Sequence, residues 1–451
     1  MLNTSILKIN TLSLLLILAS CFLYGIFAYD LVRTDYTTLM SLYLVLFGLF
    51  IKLVNNKQNS FKLLLVAAII SRLVFLVAIP NLSQDFYRFI WDGRMILKGI
   101  NPYLYTPESF ITAGQYPIHQ AQDLVNGMQA LNASHYSNYP PINQLLFTLA
   151  NLAFNTSILG SVIGLRLIII AADIGTLYFG SKLLDLMKLP KKNILWYILN
   201  PFIIIELTGN LHFEGVMIFF LILSLYLLKI NKWKWSAVVF AISISTKLVP
   251  LLFLPLFVKW FKTKQGIDYK KLIAFYLIIG FSTIVLFAPF FSIQFVNNYS
   301  KTVGLWFGNF EFNASIYYLA RAIGYYITGY NQIAIIGKIL PVIVFIAIWI
   351  LALVRKNQNY STLISSMVIA ITCYLLLSTT VHPWYIASVL ILSIFTNYRY
   401  PLVWSFIIII SYLAYANSNN TENLWIIGFE YFIVFTAIIL EYLTKKKKLN
   451  F

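Results

Sequence analysis

Apolar runs of about 20 residues, long enough to cross a hydrocarbon core of about 30 Å, recur along the whole chain. They are continuous rather than alternating, so they predict helices and not barrel strands. Spans are predicted near 11–29, 37–54, 63–80, 142–155, 158–181, 194–210, 213–229, 272–291, 332–354, 362–380, 384–397, 401–416 and 424–443. Residues 235–258 contain Pro250 and Pro255 and predict a broken hairpin with Lys247 near its tip. The expected fold is an all-α polytopic integral membrane protein, a single domain over 1–451 with about 12–14 transmembrane segments. Two longer polar stretches, 81–141 and 292–331, exceed the usual length of a connection and are expected to carry amphipathic interfacial helices.

Basic residues cluster between the runs: Lys52, Lys57 and Lys62; Lys188, Lys191 and Lys192; Lys229, Lys232 and Lys234; Lys259, Lys262 and Lys264; Arg355 and Lys356; Lys445 to Lys448. The positive-inside pattern puts these clusters and both termini in the cytoplasm, and 81–141 and 292–331 outside. One stretch resists. Two full crossings between 142 and 193 would expose Lys188, Lys191 and Lys192, so one segment there is expected to be short, tilted or re-entrant. With 60% hydrophobic and 11% charged residues, the chain cannot wrap a soluble core, for which roughly 25% charge is usual. The net charge of +18 is accounted for by the loop clusters, so no nucleic acid partner is implied. Cys21 and Cys373 fall inside apolar runs, which supports neither a disulfide nor a thiolate metal site. Leu18-Ala19-Ser20-Cys21 is similar to a lipoprotein cleavage box, but the apolar run continues to Tyr29 and reads as an uncleaved span. No retrieval signal ends the chain, so a bacterial inner membrane is expected rather than the endoplasmic reticulum.

Candidate chemistry concentrates on the predicted outer side. Between a Ser83 cap and a Gly99 stop, with Pro102 beyond, one amphipathic helix is expected to lie on the membrane face. Asp85, Arg88 and Asp92 share one of its faces, while Phe86, Phe89, Ile90 and Leu97 can rest on lipid. Asp85 sits in the first turn, where the helix dipole favours a carboxylate. His212-Phe213-Glu214, His382-Pro383-Trp384-Tyr385, Tyr139-Pro140-Pro141 and, in the second long loop, Glu311 and Arg321 are expected on the same side. Each alone reads as an interfacial anchor or a solvated ion pair; their convergence on one face argues for a site. Charges inside apolar runs cost about 2.5 to 3.5 kcal/mol each at a helix centre, so Arg72, Arg166, Asp173, Glu206, Lys247 and Lys338 need partners. Arg166 and Asp173, seven apart, are expected to pair; Lys247 has no acid nearby in sequence, which makes a ligand phosphate attractive. The chain has no GxxxxGK[ST], GxGxxG after a strand, HExxH or Asp-x-Asp, so a lipid-linked donor is favoured over a nucleotide one.

Asp85 after an early span, Tyr87-Arg88, Asp92-Gly93-Arg94, Asn101-Pro102-Tyr103 and Tyr139-Pro140-Pro141 resemble the GT-C superfamily of polytopic glycosyltransferases, in the mannosyltransferase-like group that includes glycosyltransferase family 87. His212-Phe213-Glu214, Thr246-Lys247-Leu248-Val249-Pro250 with Pro255, and His382-Pro383-Trp384-Tyr385 are similar to its later motifs, so the resemblance covers about residues 63–400. A departure is that two spans precede Asp85, where many GT-C enzymes have one. The resemblance implies a GT-C-like bundle that moves a single sugar, mannose, from a polyprenyl-phosphate donor to a hydroxyl of a glycan or glycolipid acceptor, with inversion. It makes Asp85 the base, assisted by His212 and Glu214. It puts Tyr87, Arg88, Asp92, Arg94, Asn101, Tyr103, Tyr139, Glu311 and Trp384 on the substrates and Lys247, Arg321 and His382 on the lipid phosphate. A divalent cation on Asp85, Asp92, Glu214 or His212 is left open, and no other cofactor is implied. Two rivals remain: a lipid-glycan flippase using Arg166, Asp173, Glu206 and Lys247, which predicts an inverted repeat that the sequence lacks, and a glycan polymerase or ligase with a larger donor.

Overall fold

The computed structural model describes residues 10–417 and 419–449, with the backbone alone at 306, 307 and 445–449, so the Lys445 to Lys448 side chains lie outside the described residues. The chain is a helical multi-pass membrane protein. Among the described residues six helices are long and apolar enough to cross a bilayer: Thr11–Tyr29, Tyr36–Asn55, Ile158–Leu186, Tyr269–Phe290, Ile333–Val354 and Leu424–Thr444. Side-chain oxygens start most of them. Asn10, Asp35, Ser157 and Asp268 each accept a backbone N–H in the first turn, which satisfies donors that the helix itself leaves open. Lys338 lies near the start of Ile333–Val354 and is exposed.

The remaining apolar runs are less regular than their composition predicts. The 63–80 run forms a helix only over Phe61–Leu73, and the 401–416 run is α-helical over Tyr400–Ile407 and 3-10 beyond. The 194–210 run breaks into short helices at Leu195–Ile198 and Pro201–Ile203 and a π-helical turn at Ile204–Gly209. Apolar composition says that a segment avoids water; it does not say that its backbone bonds are all local. Irregular backbone at membrane depth is tolerated where protein buries it, and residues 200–218 are buried throughout.

Two buried arginines complete this broken region. Arg166 donates from Nε to the Thr208 carbonyl at 2.9 Å and from Nη2 to that of Gly209 at 3.0 Å, and so satisfies the open end of the π-helical turn. The expected Arg166 and Asp173 pair does not form. Asp173 binds Arg72 instead, Nε to Oδ2 at 2.6 Å, and Arg72 also donates to the Ile198 carbonyl at 2.7 Å. Residues on one helix face a common neighbour more readily than each other when that neighbour has carbonyls to satisfy.

The conflict between 142 and 193 resolves at Pro141–Asn151, a helix of 11 residues and about 16 Å that is too short to cross. Ile158–Leu186 is then the one helix between 142 and 193 long and apolar enough to cross among the described residues, as the basic cluster at Lys188 to Lys192 requires. The short helix is clasped by glycines. A Cβ at Gly93 would fall on the Phe147 carbonyl, and one at Gly164 would lie 2.5 Å from the Ala150 carbonyl oxygen. The helix Asp85–Leu97 therefore departs from the expected interfacial position. Phe86, Arg88, Phe89, Ile90, Asp92 and Arg94 are all buried, and the apolar face meets helices Ala121–Ala133 and Pro141–Asn151 instead of lipid.

Candidate active site

Asp85 opens its helix, with its backbone N–H donating to Ser83 Oγ at 3.3 Å and its Oδ1 accepting from Asn132 Nδ2 at 3.5 Å. Three residues on, Arg88 anchors that helix. Its Nε binds Asp92 Oδ1 at 2.8 Å, and Nη1 donates to the carbonyls of Asn132 and His135 at 3.0 and 2.8 Å. Asp92 also accepts from Ser137 Oγ at 2.5 Å and Gln144 Nε2 at 2.9 Å. Arg94 donates to the His119 carbonyl, Asn151 and Ser161. The geometry thus turns Arg88, Asp92 and Arg94 toward protein groups that hold the helix carrying Asp85. Tyr87 packs against Gly127 on the helix Ala121–Ala133. Asn101 and Tyr103 join the two long loops: Tyr103 packs on Phe290 and Phe295, and its hydroxyl donates to the Tyr139 carbonyl at 2.5 Å.

Glu214 opens a second helix, Glu214–Lys229, which turns back from Pro201–Gly209 by 113°. The connecting turn holds Leu211 at a φ of 62°, a strained conformation for a branched side chain. A third element, the bend between Trp233–Ile244 and Val249–Lys259, presents Lys247. The start of the short helix pins that bend: Ile142 N–H donates to the Ser245 carbonyl at 3.0 Å and Asn143 Nδ2 to that of Thr246 at 2.8 Å. Lys247 does have a protein counter-ion, contrary to expectation. Its Nζ lies 3.0 Å from Glu214 Oε1 and 5.2 Å from the centre of the Tyr139 ring. Glu214 Oε2 is buried and has no hydrogen-bond partner among the described residues.

Asp85 experiences the charges of Lys247, Glu214 and Arg33. Burial raises its carboxyl above the ordinary aspartate range; Lys247 opposes that rise, Glu214 adds to it and Arg33 opposes it. Arg33, in the short loop after the first crossing, was not among the sequence candidates. A lone arginine on the side that the basic clusters avoid is the signal that could have found it.

A column of rings lines the same region. His212 stacks on Trp384 at 3.6 Å, Trp384 on His382 at 4.5 Å, His382 on Phe312 at 5.0 Å and Phe312 on Tyr415 at 5.7 Å. Arg33 caps the column, its guanidinium carbon 3.5 Å from the Tyr415 ring centre. Burial, with the Lys247 and Arg33 charges, pushes His382 down to about 3, so at neutral pH it brings a phosphate no positive charge. His212 is buried, its Nε2 3.9 Å from Glu206 Oε2 and without a hydrogen-bond partner among the described residues. Glu206 itself accepts from Tyr412 at 3.0 and 3.1 Å and from Asn210 at 3.4 Å.

Arg321 and Glu311 form a neighbouring cluster. They bind one another, and Glu311 also accepts from Tyr317 and from Asn331, each at 2.5 Å. The cluster meets the ring column through Phe312, whose backbone pairs with Thr379 and Val381. Among the described residues no three His, Cys, Asp or Glu side chains gather in one place.

Carboxylates at the starts of two helices, an ammonium paired with one of them and a stack of rings form a mixed-charge cluster whose chemistry suits a sugar and an anionic group. The family model described as alpha-(1->6)-mannopyranosyltransferase, N-terminal domain, of the MptA_B family, matches residues 24–263. The chain belongs to this mannosyltransferase family. A glycosyltransferase role follows, and the GT-C resemblance agrees with it. Arg33, Asp85, Tyr139, His212, Glu214 and Lys247 all fall inside the matched stretch, whereas Glu311, Arg321, His382 and Trp384 come from beyond it. No curated protein matches the chain.

Proposed function

We propose that this member of the mannosyltransferase family transfers a single mannose from a polyprenyl-phosphate donor to a hydroxyl of a glycan or glycolipid acceptor, at the extracytoplasmic face of a bacterial inner membrane. The observation that carries this reading is the Lys247 and Glu214 ion pair at 3.0 Å, from two separate elements, whose charges both act on Asp85 at the start of a third. Asp85 serves as base. The acceptor oxygen attacks the anomeric carbon from the side opposite the phosphate, its proton passes to Asp85, and the carbon–oxygen bond to phosphate breaks with its electron pair leaving on that oxygen. One displacement inverts the centre.

A carboxylate whose burial raises its proton affinity is a better acceptor for that proton than an exposed one. The free Glu214 Oε2 and the unpartnered His212 Nε2 are suited to sugar hydroxyls, and Trp384, stacked between two imidazoles, presents a rigid edge to the same space. Lys247, half neutralised by Glu214, orients that carboxylate and assists the departing phosphate.

Purified protein with polyprenyl-phosphate mannose and a mannoside acceptor tests the reading directly. Asp85→Asn is expected to keep donor binding and lose about 10²- to 10⁴-fold in transfer, the usual worth of a general base. An Asp85→Asn protein that folds and transfers at the wild-type rate removes Asp85 from the chemistry.

A further inference from the structure

The cations on and near this cluster differ in one respect. Lys247 is paired with Glu214, Arg88 with Asp92, Arg321 with Glu311 and Arg72 with Asp173. Arg33 forms no ion pair among the described residues. Its Nε is buried and has no hydrogen-bond partner there, while its guanidinium carbon lies 3.5 Å over the Tyr415 ring at the end of the column. Its charge acts on Asp85, on Glu206 and on His382, which places it within the field of the same cluster. The loop that bears it is tied to the chain just before Asp85, because Asn81 Nδ2 donates to the carbonyls of Phe27 and Leu31 at 2.7 and 3.0 Å.

An arginine with an open donor, oriented by an aromatic face, is suited to grip two oxygens of a phosphate, and a lysine already holding a carboxylate is less so. We propose that Arg33 binds the phosphate of the sugar donor beside Asp85, the role that sequence reasoning distributed over Lys247, Arg321 and His382. This rests on the donor reading given above. As the anomeric carbon–oxygen bond breaks, its electron pair stays on the phosphate oxygen, and Arg33 stabilises the added negative charge. Tyr415, Phe312 and His382 keep the guanidinium in register with the wall that faces the sugar.

The test measures binding of farnesyl phosphate to detergent-solubilised wild-type, Arg33→Gln and Arg33→Lys proteins, by thermal stabilisation and by inhibition of transfer, with GDP and inorganic phosphate in parallel. Arg33→Gln is expected to weaken farnesyl phosphate about 10- to 100-fold, the worth of a charge-assisted hydrogen bond. Arg33→Lys should recover part of the loss, and acceptor KM should stay within about twofold. Unchanged farnesyl phosphate affinity in an Arg33→Gln protein of wild-type stability overturns the assignment. A loss of stability that affects every ligand and the acceptor KM alike marks Arg33 as structural and overturns it too. If GDP is the ligand that binds and is lost in Arg33→Gln, Arg33 keeps its phosphate role and the lipid-donor reading falls. A wild-type protein that binds none of the three overturns both.

Discussion

Replacing Asp92 by Ala should unfasten the helix that presents Asp85. Asp92 is fully buried and receives three hydrogen bonds: Arg88 Nε at 2.8 Å, Ser137 Oγ at 2.5 Å and Gln144 Nε2 at 2.9 Å. Ser137 and Gln144 also bond each other at 2.8 Å, so their loss is partly made good locally. The Arg88 guanidinium is not so placed. Its two backbone carbonyls, from Asn132 and His135, stabilise hydrogen bonds and leave the positive charge uncompensated. Breaking a buried pair from one side costs about 3–5 kcal/mol, a large share of the roughly 5–15 kcal/mol that holds a domain folded. Removing both charges with Arg88→Met and Asp92→Leu should cost less than either single change, because no buried charge remains. Equilibrium unfolding in mixed micelles of the wild type, both single variants and the double variant gives the coupling energy. If Asp92→Ala lies within about 1 kcal/mol of wild type, or the double variant is no better than the worse single one, the pair does not carry this load.

A Gly93→Ala substitution should cost about 1–3 kcal/mol and lower transfer, since the new methyl would stand 2.6 Å from the Phe147 carbonyl carbon and 2.7 Å from Asn151 Nδ2; a variant of unchanged unfolding midpoint would refute the close contact. Burial raises the Asp85 carboxyl, so transfer should fall with decreasing pH through a midpoint above the ordinary 3.8, and Asp85→Asn should abolish that limb. Stability has the opposite sign: the folded state holds this proton more tightly, so the Asp85 contribution is full below 3.8 and is lost as pH rises through its folded value. A pH–rate profile with its acid midpoint at or below 3.8 would contradict the burial.

The long crossings were legible because a run of apolar residues with a capping Asn, Asp or Ser in front carries nearly all that a membrane helix needs. Pro250 and Pro255 made the break at Lys247 legible as well, and the charge imbalance around 142–193 required one segment there to be short, tilted or re-entrant without saying that it would be Pro141–Asn151. Pairings were not legible. Glu214 meets Lys247, and Arg72 meets Asp173, across separate elements whose approach depends on the packing of the whole bundle. The helix bearing Asp85 was misread as lipid-facing because an apolar face does not declare whether lipid or another helix will cover it. The column of rings was legible in part: His212, His382 and Trp384 stood in motifs expected on one side, but Phe312 and Tyr415 sit in unrelated segments, and nothing periodic connects the five.

That column also joins distant parts of the chain. Through Trp384 it runs from His212, next to the strained turn at Leu211, by way of His382 and Phe312 to Tyr415, and so to Arg33 in the loop after the first crossing. Stretches of sequence with no periodic relation thus share a single stack, and a substitution in any one of its rings removes a contact from two of them at once.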